Sequence, residues 1–96
     1  MYALLALYAG CAVATILFFN GTGDEGDSVH HYLFARYAPL HPALFMDHWA
    51  KPLYVLLACP FAQFGFVGAK IFNVLAMMGA MWFTYLTAQA LRLNTK

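Results

Sequence analysis

PLYVLLACPFAQFGFVGAKIFNVLAMMGAMWFTYLTAQAL, residues 52–91, contains a single charged side chain, Lys70. As one helix it would run about 60 Å, roughly twice the hydrocarbon thickness of a bilayer. The stretch is therefore expected to fold back on itself, and Gly65-Phe66-Val67-Gly68 is the place for it, because glycine supplies the backbone freedom a turn needs. This reading gives two spans, 52–66 and 67–91. The first is short, and Pro52 suits its opening position, where a missing N–H costs nothing. Within the second, Ala69, Asn73, Ala76, Ala80, Thr84 and Thr87 recur at three- and four-residue steps, opposite Ile71, Leu75, Met78, Trp82 and Leu86. Small and hydroxyl residues let backbones approach closely in lipid, so the first row is expected to meet protein and the second, with Trp82, to meet lipid.

Upstream, Tyr2 to Phe19 is uncharged and about 27 Å long as a helix, which reads as a first span over 1–19. A secretory signal is the rival reading, and Ala9-Gly10-Cys11 is like a lipoprotein cleavage box. No basic residue precedes the apolar run, however, and the hydrophobicity continues past Cys11. Cys11 and Cys59 have no metal-ligand spacing and read as small apolar fillers. The composition agrees with lipid as the solvent: 64% of residues are hydrophobic and 9% charged, against roughly 25% charged in globular proteins. A formal charge of +1 offers no basic field for nucleic acid, which is excluded as a partner. The expected fold is thus an all-α integral membrane unit with three transmembrane helices, two short interfacial helices in the loop 20–51, and a tail at 92–96.

The loop holds the chemistry. All four acids (Asp24, Glu25, Asp27, Asp47) and all four histidines (His30, His31, His41, His48) fall between Asn20 and Lys51. Asn20-Gly21-Thr22-Gly23 is turn sequence, and Asp24-Glu25-Gly26-Asp27 follows without the alternating ligands of an EF-hand. Residues 28–38 turn helical, with Asp27 or Ser28 as cap, and the amphipathic pattern predicts a helix lying along the interface. Four-residue spacing puts Asp27 and His31 on one side, with His30 close by. Such a carboxylate and imidazole share a structural hydrogen bond, a working proton or a metal ion. His41-Pro42 starts a second short helix over 42–49. Lys51 then stands at the mouth of the next span, where an ammonium either snorkels as an anchor or receives a phosphate carried by a lipid.

Taken together, Gly26-Asp27-Ser28, Ala35-Arg36, His41-Pro42, Asp47-His48-Trp49-Ala50-Lys51-Pro52-Leu53 and Pro60-Phe61-Ala62-Gln63-Phe64-Gly65 resemble the N-terminal part of bacterial polytopic glycosyltransferases with the GT-C fold. That superfamily includes protein O-mannosyltransferases and lipid A aminoarabinose transferases. The resemblance covers nearly the whole chain but only the beginning of such an enzyme. It implies a polyprenyl-phosphate-linked sugar as donor, a hydroxyl acceptor, and transfer on the noncytoplasmic side of a bacterial inner membrane, where the 20–51 loop would lie. It places the essential acid of the first loop at Asp27 by spacing to Ala35-Arg36, although Asp24-Glu25 looks more like the family's acidic pair. The family's Lys-Pro pair matches Lys51-Pro52, where the lysine is thought to meet the donor phosphate. The sequence departs at Ala50, where related transferases carry Glu, and at Leu53, where a second proline is common; a divalent metal is left open.

The residue types suit that chemistry. Asp27 is the expected base for an acceptor hydroxyl, with Asp24 and Glu25 as the other candidates. Lys51 is expected to stabilise the leaving phosphate, with His48 beside it and His31, His30 and Asp47 as support. Partners would be the donor lipid, the surrounding membrane lipid, and the remaining helices of the same enzyme or of a partner subunit. One observation opposes the implied sidedness. With three spans, the loop and tail share Arg36, Lys51, Arg92 and Lys96 against Lys70 alone, which the positive-inside rule would place in the cytoplasm. The alternative class is a small membrane subunit or binding protein without catalysis of its own. A haem or metal carrier lacks histidines paired on facing helices.

Overall fold

A computed structural model describes residues 1–19 and 26–91. Among these it contains four α-helices, α1 (Tyr2–Phe18), α2 (Asp27–Tyr37), α3 (Pro52–Ala62) and α4 (Gly65–Ala90), and one 3-10 turn, Pro42–Phe45. The chain is helical as expected, but the three-span reading is corrected. Among the described residues only α4, at 26 residues, is long and apolar enough to cross a membrane. The apolar helix α1 stops at 17 residues, and α3 ends after 11, about 16 Å. The expected span 52–66 fails because its polypeptide stays apolar while its helix does not continue. Gln63 and Phe64 leave the helix, and Gly65, at φ 77°, turns the chain into α4. In the loop, the helix expected over 28–38 is found as α2, whereas that expected over 42–49 shrinks to the 3-10 turn.

The core lies between α2 and α3 and consists of small side chains. Ala35 and Ala38 pack on Val55, Ala58 and Ala62, with Tyr32, Phe45, Tyr54 and Phe72 closing the sides. Alanine at the contact lets two short helices approach closely, so the backbones themselves supply much of the van der Waals contact. Polar groups then bind the C-terminal ends of these helices. The Arg36 guanidinium donates to the Ala62 carbonyl at 3.2 Å and to the Tyr32 hydroxyl at 3.3 Å. In return, the Gln63 amide donates to the carbonyls of Arg36 and Cys59 at 3.1 and 3.0 Å. Carbonyls in the last turn of a helix have no partner of their own, and here each helix supplies the other's. Arg36 also carries its positive charge in the last turn of α2, where the helix dipole favours it. Arg36→Ala is expected to lower stability by about 1.5 kcal/mol, the usual magnitude for a hydrogen bond from a charged donor. Thermal unfolding in detergent would measure it, and an unchanged transition would count against the latch.

Helix α4 packs against α3 through its first turns and against α1 farther along. Gly68 is buried where α4 meets the Phe61 carbonyl. The ring of Tyr2 lies 6.1 Å from that of Trp82, while Lys70 near the other end of the pair donates to the carbonyl of Phe19, so α1 runs antiparallel to α4. The small-residue row does not mark the protein-facing side. Ala69 is buried, but Asn73, Ala76, Ala80, Thr84 and Thr87 are exposed, and Trp82, expected in lipid, is half-buried against Tyr2. The short α3 does not reach the middle of α4, and α1 settles on the aromatic side instead. Thr84 and Thr87 satisfy their hydroxyls on the carbonyls of Ala80 and Phe83 within their own helix.

Candidate functional site

The N-terminal ends of α2 and α3 meet, and the two residues that open them pair. Asp27 is the first residue of α2 and Lys51 is the cap of α3, immediately before Pro52. Lys51 Nζ lies 3.8 Å from Asp27 Oδ2. Both side chains remain open, 69% and 65% exposed. An exposed pair of this kind adds only about 0.2–1 kcal/mol to stability. The positive ends of two helix dipoles also point here, an arrangement that favours bound anionic oxygen over an empty surface.

His31 stands one turn behind Asp27 and is only 7% exposed. Its Nδ1 is 2.8 Å from the Asp27 backbone carbonyl and 3.7 Å from the carboxylate, so the N–H belongs to the carbonyl. The Asp27 carboxylate is thereby left for Lys51 and solvent. His31 Nε2 is buried with no hydrogen-bond partner among the described residues, while the ring sits edge-on to Phe34 and Tyr54. His30 bonds the Gly26 carbonyl through Nδ1 at 3.1 Å. Gly26, Asp27, His30, His31, Phe34 and Trp49 line a largely apolar cavity of about 390 Å³ beside the ion pair.

The structure brings together Asp27, Lys51, His31 and His30. Asp47 and His48 form a separate group: their side chains approach to 3.6 Å, and Asp47 Oδ1 accepts the Trp49 backbone N–H at 2.9 Å, holding the turn that leads to Lys51. His48 is exposed and faces Asp47 and Trp49 rather than the lysine. Asp24 and Glu25, the other acid candidates, lie outside the described residues. Among the described residues no three His, Cys, Asp or Glu side chains converge as a metal site would require.

No protein family, curated protein or solved structure matches the chain.

Two features of that geometry escaped the sequence reading. The amphipathic pattern of 28–38 makes Phe34 one more apolar-face residue, whereas the structure makes it a wall of the cavity. Tyr54, in the first turn of α3, is half-buried between His31 and Phe72 and shares a cavity wall with Asn73. The one signal available for the second feature was an amide side chain in the middle of an apolar helix, a placement that usually calls for a partner.

Proposed function

We propose that this chain is the N-terminal segment of a membrane glycosyltransferase that moves a sugar from a polyprenyl-phosphate donor to a hydroxyl acceptor. The observation that carries the reading is the 3.8 Å approach of Asp27 and Lys51 across 24 positions of sequence, with both groups open to a ligand. In the step, the acceptor O–H gives its proton to the Asp27 carboxylate as its oxygen bonds the anomeric carbon. The bond from that carbon to the phosphate oxygen breaks, and its electron pair leaves on the polyprenyl phosphate. The added negative charge develops beside the Lys51 ammonium and the two helix N-termini. The apolar cavity next to Asp27 gives the donor a place out of water. The helix α4 is long and apolar enough to cross a membrane, and the site would work on the noncytoplasmic face of a bacterial inner membrane.

The test is donor retention by the full-length protein in lipid nanodiscs. Lys51→Ala is expected to weaken binding of a polyprenyl-phosphate sugar by about 10- to 100-fold, the range for losing a charge-assisted contact to phosphate. Unchanged retention would return Lys51 to the role of a snorkelling anchor. Lys51-dependent retention with no transfer by the wild type would instead favour a binding subunit.

A further inference from the structure

A second cavity, more polar than the one beside Asp27, lies where α4 passes the start of α3. It measures about 120 Å³, and Tyr54, Lys70, Asn73 and Ser28 line it together with the rings of Tyr32 and Phe66. No carboxylate among the described residues forms part of its wall. Its polar side chains are an ammonium, a phenol, an amide and a hydroxyl, all of which can donate.

Lys70 and Tyr54 both carry hydrogens that an oxyanion can accept. Lys70 uses one N–H on the Phe19 carbonyl at the end of α1, and an ammonium has three. That partner is neutral, so the positive charge of Lys70 is not balanced by it, whereas Lys51 already has the Asp27 carboxylate beside it. Burial raises the Tyr54 phenol above its ordinary range, which keeps it protonated at neutral pH. Asn73 stands beside the phenol on the same cavity wall and works in the opposite direction. Protonated and on the cavity wall, the Tyr54 hydroxyl has a proton to donate to an acceptor there.

We propose that this cavity binds a phosphate group, with Lys70 as the counter-charge and the Tyr54 hydroxyl and Asn73 amide as neutral donors. A cation and two neutral donors drawn from α3 and α4 suit an oxyanion that accepts on several oxygens at once. The phosphate is carried either by a lipid headgroup or free in solution, and the chemistry at Lys70 is the same for both. The site shares no residue with the Asp27–Lys51 pair and does not depend on glycosyl transfer.

The experiment titrates the purified chain in detergent with phosphatidic acid, with inorganic phosphate, and with a diacylglycerol that lacks the phosphate, reading binding by native mass spectrometry. Lys70→Gln is expected to weaken phosphate binding about 10- to 100-fold, and Tyr54→Phe about 3- to 10-fold. The tyrosine variant leaves the Lys70 contact at the end of α1 in place, so its effect is not a loss of that cap. Binding of phosphatidic acid alone assigns the site to a lipid headgroup, and full competition by inorganic phosphate assigns it to the free ion. Three results would overturn the inference: wild-type binding of neither phosphate probe, undiminished binding by both variants, or loss of binding in Lys51→Ala while Lys70→Gln retains it.

Discussion

Gly68→Ala is expected to separate α4 from α3 and to cost about 3 kcal/mol or more, beyond the usual range for overpacking. A β-carbon at this position would land on the carbonyl oxygen of Phe61 and press against the Phe64 side chain. The Phe61 oxygen is backbone, and it also accepts the N–H of Phe64 at 3.0 Å in the turn between the two helices. It has no rotamer into which to retreat, so relief requires shifting a whole helix end. That shift would pull Ala62 away from Arg36 and open the Ala58–Ala62 contact with α2. Gly79→Ala is the internal control: it sits in the same helix, and nothing lies within 4 Å of the added carbon. There the ordinary helix preference of alanine over glycine should act alone and stabilise by about 1 kcal/mol. Thermal unfolding of the two variants in one detergent gives the comparison. Equal transitions would mean that α3 and α4 do not meet at Gly68.

The contrast between these glycines shows what the sequence disclosed and what it withheld. Gly65 and Gly68 were legible as a break in an apolar stretch, and the break is there. Only Gly65 serves as the turn, however, while Gly68 lies inside α4 and permits a close approach. Hydropathy reports which residues tolerate lipid, not where the backbone stops being helical, and so it assigned four residues too many to the helix that begins at Pro52. Asp27, Lys51 and Pro52 were readable because each has a local reason for its place at a helix N-terminus. Arg36 and Gln63 have no such local reason, since their task is contact with the opposite helix, a partner 26 or 27 positions away. Trp82 was misread for a similar reason. A large aromatic on an apolar helix is at home against lipid or against another ring, and only the position of Tyr2 decides between them.

The arrangement around Asp27 makes the remaining test unusually clean, because its carboxylate takes little part in holding the fold. The backbone carbonyl of Asp27, not the side chain, receives the His31 N–H, and the ion pair with Lys51 is mostly exposed. Asp27→Asn keeps the carbonyl, the shape of the side chain and an oxygen that still faces the helix N-terminus. It removes the negative charge and the capacity to take a proton. Stability is therefore expected to move by no more than about 1 kcal/mol, the upper end for an exposed pair. Transfer from a polyprenyl-phosphate sugar by the full-length protein should fall about 100- to 10,000-fold, the contribution of a positioned general base. The two readouts are independent, so a collapse of activity accompanied by a matching loss of stability would point to structure instead of proton transfer. Turnover close to wild type in Asp27→Asn would remove the residue from the reaction and move the search for the base to Asp24 and Glu25. Lys51 would be affected in the opposite sense: without the carboxylate 3.8 Å away, its charge is less balanced, and Asp27→Asn should hold the phosphate of the donor at least as tightly as the wild type while failing to transfer the sugar. Retained binding with lost transfer is the signature that separates a base from a binding residue.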